Sequence, residues 1–354
     1  MGKMDKPTNL YDRHRNKRAQ AKKERAKAGR ANSNEDEQGI LTWRDFEYPE
    51  AGDSNVGIIS EVRGGISIVL LDEKMVECKL DRKIPFALFR ELVVGDKVHV
   101  ESRGGEAWIV GRVPRASYLA RMRGDSTRFS AHATEEQVVA VNIDVAAIVA
   151  SSDRPAFHSG LIDRYLISCE NGCVRPIICL NKADLTDTRD PILRWYQDQL
   201  GITVIETSAE TGQGLETLSA CLRGRIAVLV GNSGVGKSSI INRLMPGLSL
   251  AAKTVSERSG EGRHTTTASN LYPLEGGTLL IDTPGIRNLA ITDIPRSGLK
   301  TYFPEFAPFE RACKFNNCLH DHEPQCGVKN GVESGEISRQ RYESYLRMLK
   351  NLND

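Results

Sequence analysis

The stretch RIAVLVGNSGVGKSSIINRLM, Arg225 to Met245, decides the fold. RIAVLV is a short apolar run of the kind that forms a buried strand, and SSIINRLM has the apolar spacing of a helix. Between them GNSGVGKS, Gly231 to Ser238, satisfies G-x-x-x-x-G-K-[ST] in full. Gly231, Gly234 and Gly236 let such a loop wrap its backbone N–H groups around phosphate; the lysine reaches the β and γ phosphates, and the last hydroxyl serves Mg²⁺. The candidate phosphate-binding set is Gly231, Asn232, Ser233, Gly234, Val235, Gly236, Lys237, Ser238 and Ser239. Lys237 counts as catalytic as well, and Ser238 as a Mg²⁺ ligand.

Around this stretch, strands alternate with helical segments. The strands are AAIVAS, PIICLNKAD, ITVIETSAE, RIAVLVGNSG and TLLIDTPG; LIDRYLISC and PILRWYQDQL carry apolar residues at helical spacing. That alternation predicts a parallel sheet covered on both faces, with ligands beyond the carboxyl ends of its strands. Each remaining motif falls at such an end. DTPG offers Asp282 to the metal shell and the Gly285 N–H to the γ-phosphate. In NKAD, Asn181 to Asp184, the Asp184 carboxylate can accept from guanine N1 and N2, donors that adenine does not present, so it selects GTP over ATP. Asn181 braces the loop and the Lys182 stem covers the base. TSAETGQGL supplies the opposite wall, with the Ala209 N–H at guanine O6 and Ser208 shaping the turn.

The base-reading motifs therefore precede the phosphate loop, the reverse of the usual order. A domain whose ends lie close together can be opened elsewhere and rejoined with its sheet unchanged. Circular permutation accounts for the order.

From Asp53 to Pro114 the chain reads as five short strands with glycine punctuation, VGIISEVRGGISIVLL turning at Gly64 and Gly65. A small barrel of the oligonucleotide-binding (OB) kind is expected, with an SH3-like barrel as the alternative. A basic connector, Arg115 to Arg128, follows. Charge is uneven: Met1 to Arg30 carries eleven Lys or Arg against Asp5, Asp12 and Glu24, a net +8, which leaves −6 for the other 324 residues. Such a tail cannot bury enough apolar surface to fold alone and suits phosphate neutralisation on nucleic acid. No apolar run reaches the length of a bilayer span, and the basic N-terminus lacks a signal peptide's apolar stretch, so a cytoplasmic protein is expected.

Of eight cysteines, Cys78, Cys169, Cys173, Cys179 and Cys221 sit among apolar neighbours and read as reduced small hydrophobes. The other three form C-x4-C-x-H-x5-C: Cys313, Cys318, His320 and Cys326, the ligand count that closes a structural tetrahedral zinc site. Spacing leaves His322 open as an alternative. Beyond it, Ile337, Tyr345, Leu346, Leu349 and Leu352 stripe one face of a helix that should pack on its own domain or on the sheet.

The order NKAD, TSAETGQGL, GNSGVGKS, GRHTTT, DTPG, with a barrel before it and C-x4-C-x-H-x5-C after it, resembles the circularly permuted RsgA (YjeQ) GTPases. The resemblance runs from about Asn55 to the C-terminus. It implies an OB-like barrel, a permuted α/β P-loop GTPase domain and a C-terminal zinc-binding α-helical domain. The expected division is 1–36 tail, 37–115 barrel, 116–290 GTPase and 291–354 zinc domain. It also implies a GTP hydrolase that binds the small (30S) ribosomal subunit and its 16S rRNA late in assembly, stimulated by that subunit, with barrel and zinc domain gripping rRNA. Mg²⁺, one Zn²⁺ per chain, a monomer and no membrane partner complete the expectation. A nucleotide-gated RNA-binding switch or chaperone, its hydrolysis incidental, is the alternative. Many GTPases orient the attacking water with a glutamine after D-x-x-G, but Ile286 stands there and cannot hydrogen-bond. His264 in GRHTTT is the nearest candidate for that role. Thr266 is taken as the second Mg²⁺ ligand, with Thr265 and Thr267 open on spacing.

Overall fold

A computed structural model of the chain describes residues 55–63, 65–84, 91–122, 136–245, 269–282, 289 and 294–352. The basic tail, His264, Thr266 and Gly285 lie outside them.

Strands β1 (Asn55–Arg63), β2 (Ile66–Leu71), β3 (Lys74–Leu80), β4 (Lys97–Arg103) and β5 (Glu106–Arg112) close a barrel in the order β1-β2-β3-β5-β4. The parallel β3–β5 pairing sets it apart from a simple antiparallel meander and matches the OB expectation over the SH3-like one. Alternate residues Ile59, Val69, Cys78, Val98, Val100 and Ile109 fill its interior. Asp96 is fully buried and receives Arg115 through two bonds of 2.8 Å. Arg115 therefore fastens the barrel. The supposed connector beyond it is partly strand: β6 (Tyr118–Met122) pairs with β7 (Glu136–Val141). Its arginines hid a strand whose Leu119 and Ala120 are buried.

The central sheet has six strands in the order β10-β9-β8-β11-β13-β12. Five are parallel neighbours: β8 (Val145–Ser151), β9 (Arg175–Asn181), β10 (Val204–Glu206), β11 (Ile226–Val230) and β13 (Thr278–Asp282). The sixth, β12 (Asn270–Leu274), is an antiparallel edge strand that the parallel-sheet expectation did not include. Its proline is tolerated because an edge strand has one side without ladder bonds. Helices α1 (Ser159–Asn171) and α2 (Pro191–Asp198) cover one face, where Ile162, Tyr165 and Tyr196 meet Ile148, Ile178 and Val228. Helices α3 (Leu215–Leu222) and α4 (Lys237–Leu244) cover the other, where Leu218 and Ile240 meet Val149, Cys179 and Leu229. The barrel touches the central sheet directly, the Ser60 hydroxyl of β1 donating to Leu271 O of β12 at 2.9 Å, and it also packs against the end of β7. The Asn142 amide donates to Gly95 O at 2.8 Å, and a β-carbon on Gly95 would stand 2.2 Å from Val141 O, so only glycine allows the approach.

The C-terminal part holds α5 (Arg296–Leu299), α6 (Ala307–Glu310), α7 (Gly327–Glu333) and α8 (Arg339–Lys350). Ile337, Tyr345 and Leu349 are buried as their stripe predicts, among Phe303, Phe306 and Val328, with Ile167 of α1 joining the cluster. The helix is not anchored by that stripe alone. Arg341, also on α8, is buried with its guanidinium donating to Asp163 of α1 at 2.6 Å and to Glu305 at 2.8 Å. It lies 4.4 Å over the Phe303 ring, and the Tyr196 hydroxyl donates to the same Asp163 oxygen at 2.6 Å. Removing one partner of a buried pair leaves the others uncompensated. Arg341→Ala should lower stability by about 3–5 kcal/mol, read as a shift of the urea unfolding curve; an unchanged curve would refute this role.

Candidate functional site

The carboxyl ends of β8, β9, β10 and β11 bring four segments together. After the wholly buried β11, the loop opens at Gly231, whose φ is 147° and whose absent β-carbon would lie 2.2 Å from Val149 O. It closes at Gly236, which starts α4 with φ 96° and would clash with the Asn181 amide, again at 2.2 Å. Both positions require glycine. Ser233, Gly234, Ser238 and Ser239 are exposed, whereas the Val235 side chain is buried in the core, so Val235 has only its backbone to offer a ligand. The Lys237 ammonium folds back over the loop, donating to Gly231 O at 2.7 Å and Asn232 O at 2.5 Å.

Asn181, at the end of β9, is 1% exposed and joins three loops. Its amide donates to Val235 O at 2.8 Å, and its carbonyl accepts from the Ala209 N–H at 3.1 Å and the Thr207 hydroxyl at 3.3 Å. The Ala209 N–H, expected at guanine O6, is thus directed at Asn181 in this structure. Ser208 is buried, its hydroxyl accepting from the Thr211 N–H at 3.1 Å within the turn. Asp184 is exposed on the short turn Ala183–Leu185, beside the braced Asn181. Asp282 ends β13, next to β11.

A fourth segment escaped the motif reading. After β8, the Ser152 hydroxyl donates to Lys182 O and the Lys182 ammonium donates to Arg154 O. Pro155 Cδ comes within 3.7 Å of where a Gly234 β-carbon would stand. Ser152 and Arg154 therefore support the base loop, and Pro155 lies beside the phosphate loop. They match no nucleotide signature, and only their place at a strand's carboxyl end signals them.

Cys313, Cys318, His320 and Cys326 place one donor atom each within 4.8 Å of one another. The Cys313 and Cys326 sulfurs are 3.9 Å apart, and His320 Nδ1 lies 3.6 and 3.4 Å from them. Tetrahedral zinc, with bonds of about 2.3 Å to sulfur and about 2.0 Å to nitrogen, gives S–S edges of about 3.8 Å and S–N edges of about 3.5 Å. The four residues fit zinc. His322 is outside the cluster, its side chain 82% exposed. His320 Nε2 stands 3.5 Å from Glu310, positioned to orient the ring, while the Tyr342 and Tyr345 hydroxyls of α8 donate to the carbonyls of His320 and Leu319 at 2.7 and 2.6 Å. Burial pushes the Cys318 thiol up to about 12 and raises Cys326, so thiolates here need a cation beside them. Burial likewise pushes Cys78 to about 11 and Cys179 to about 12, in keeping with inert apolar packing. Metal analysis of freshly purified, reduced protein should find one zinc per chain, and Cys326→Ala should lose it and melt the C-terminal part first. Metal-free wild-type protein with a stable C-terminal part would overturn the assignment.

Known proteins resemble this arrangement closely. The model of the family described as RsgA GTPase matches residues 112–292. The Small ribosomal subunit biogenesis GTPase RsgA of Ectopseudomonas mendocina (strain ymp) is 38% identical over 287 residues, 79% of each chain. The crystal structure of YjeQ from Thermotoga maritima aligns with a TM-score of 0.66 and 32% identity, covering 84% of this chain and 98% of that one. YloQ, described as a circularly permuted GTPase, aligns with a TM-score of 0.62 and 28% identity over 84% and 94%. With NKAD ahead of the phosphate loop in one sheet, a closed barrel before it and a Cys₃His cluster after it, the chain belongs to the RsgA family of circularly permuted GTPases and hydrolyses GTP.

Proposed function

We propose that this GTPase acts in the cytoplasm in late maturation of the small (30S) ribosomal subunit, converting GTP and water to GDP and phosphate under stimulation by that subunit. The observation that carries the reading is the arrangement itself: a Greek-key barrel of the oligonucleotide-binding order and a Cys₃His part flank the nucleotide sheet, in a chain whose relatives are called small ribosomal subunit biogenesis GTPases. Barrel and zinc domain grip 16S rRNA, and the basic tail adds phosphate neutralisation. The division into 1–36, 37–115, 116–290 and 291–354 follows the same reading. Among the described residues no helix is long and apolar enough to cross a membrane.

In this mechanism Asp184 reads guanine N1 and N2, and the Lys182 stem covers the base. Residues Gly231 to Ser239 surround the phosphates. Lys237 exchanges its bonds to Gly231 O and Asn232 O for phosphate oxygens, an exchange that keeps the ammonium solvated by oxygen throughout. Ser238, Thr266 and Asp282 would hold Mg²⁺, which would supply charge neutralisation at the transferred phosphate. Gly285 meets the γ-phosphate. His264 orients the attacking water in place of the glutamine that Ile286 replaces. Cys313, Cys318, His320 and Cys326 would hold zinc, which would supply a cross-link between the C-terminal loops.

Asp184→Asn should lower the preference for GTP by at least about tenfold and favour xanthosine triphosphate, whose O2 accepts from an amide. Unchanged selectivity among GTP, ATP and XTP would remove NKAD from the site. The assembly role is tested by measuring GTP hydrolysis with the protein alone, with small subunits and with large subunits. Small subunits should raise the rate, and His264→Ala should abolish that rise while sparing GTP affinity. Equal rates in all three mixtures would sink the subunit reading.

A further inference from the structure

Between the N-terminus of α1 and α8 lies a groove of about 480 Å³ that no nucleotide or zinc residue lines. Ser159 and Gly160 of α1 form one side, with Arg164 a turn further on; Gln340, Ser344 and Arg347 of α8 form the other. Helix α1 is thirteen residues long, no side chain caps its N-terminus, and its first turn has no acidic residue. Its positive end is therefore uncompensated. A β-carbon on Gly160 would stand 3.2 Å from Arg347 Nη2 and 3.4 Å from the Ser344 hydroxyl, so both donors converge on that first turn.

Ser344 supplies the independent observation. It is 1% exposed and its hydroxyl has no hydrogen-bond partner among the described residues, although buried hydroxyls ordinarily find one. Arg164 and Arg347 are exposed and form no ion pair among the described residues. The one carboxylate lining the groove, Asp190, is engaged: it caps α2 through the Ile192 N–H at 3.0 Å and accepts from Gln340 at 3.3 Å. An unfilled helix N-terminus, two guanidinium groups and an unsatisfied buried hydroxyl all present donors to one space.

The geometry points to a second phosphate site, separate from the phosphate loop and independent of the subunit reading. A tetrahedral oxyanion has oxygens enough for the α1 amides, the Arg347 fork and the Ser344 hydroxyl together. The site bridges the GTPase sheet and the C-terminal part. It also adjoins His158, which ends the segment whose Ser152 and Arg154 hold Lys182. The phosphate is either free in solution or part of a polynucleotide backbone.

The test uses the full chain saturated with GDP, so that the phosphate loop is filled, at constant ionic strength. One arm titrates inorganic phosphate and the other a short RNA duplex. Gly160→Ala, which puts a methyl group between the Arg347 and Ser344 donors, and Ser344→Ala should each weaken binding at least about tenfold in the arm that supplies the natural anion. Their unfolding temperatures without phosphate should be unchanged or raised, since one adds a better helix former and the other removes an unsatisfied hydroxyl. Weakening in the RNA arm assigns the site to a polynucleotide backbone; weakening confined to inorganic phosphate assigns it to the free anion. Wild-type affinity of both variants in both arms would overturn the proposal.

Discussion

One buried carboxamide holds the nucleotide end of this molecule together. Asn181 leaves β9 and contacts the loops that follow β10 and β11, so three strand ends separated by some fifty residues of chain share one side chain. Because the contact is made in space across the sheet, the order in which the chain visits the three loops is immaterial to it. The constraint also explains local sequence. Gly236 has no room for a side chain against the Asn181 amide, and replacing Asn181 would leave the Val235 carbonyl and the Ala209 N–H to find other partners in a dry environment, at about 1–3 kcal/mol each.

A second buried group, the Arg341 guanidinium, does for the C-terminal part what Asn181 does for the loops. Helix α8 faces two ways. Arg341 reaches α1 and the sheet through Asp163, while Tyr342 and Tyr345, one and four residues on, hold the carbonyls of the loop that carries His320. The Cys₃His cluster is thus connected to α1 of the GTPase sheet through a single helix. Helix α1 begins at the segment that supports Lys182, so a continuous run of packed groups extends from the Cys₃His cluster to the edge of the nucleotide loops.

The motifs that chemistry requires were readable because chemistry leaves little choice at them. GNSGVGKS, NKAD and C-x4-C-x-H-x5-C each demand particular residue types at fixed spacing, and Cys313, Cys318, His320 and Cys326 do converge, with His322 outside the cluster. The apolar rhythm likewise located the barrel strands and five strands of the sheet. The elements it missed are short ones whose composition hides the pattern, although Leu119, Ala120 and Leu271 within them are buried. Residues Tyr118–Met122 form a strand among arginines, and Asn270–Leu274 form an edge strand containing a proline, so neither shows the pattern that a core imposes.

What the sequence determined by itself was the inventory of donor groups and their order along the chain, and hence a permuted nucleotide sheet between a barrel and a metal site. Only the tertiary structure decided which groups meet. Arg341 reads as one more surface arginine of a basic helix until Asp163, 178 residues away in the chain, is brought beneath it. Ser152 and Arg154 resemble an ordinary loop until folding lays them against Lys182. Such contacts join side chains with no periodic or motif relation, and they form only once folding brings the partners together, where their mutual attraction, strengthened in the buried cases by a lower local dielectric, offsets the cost of leaving water.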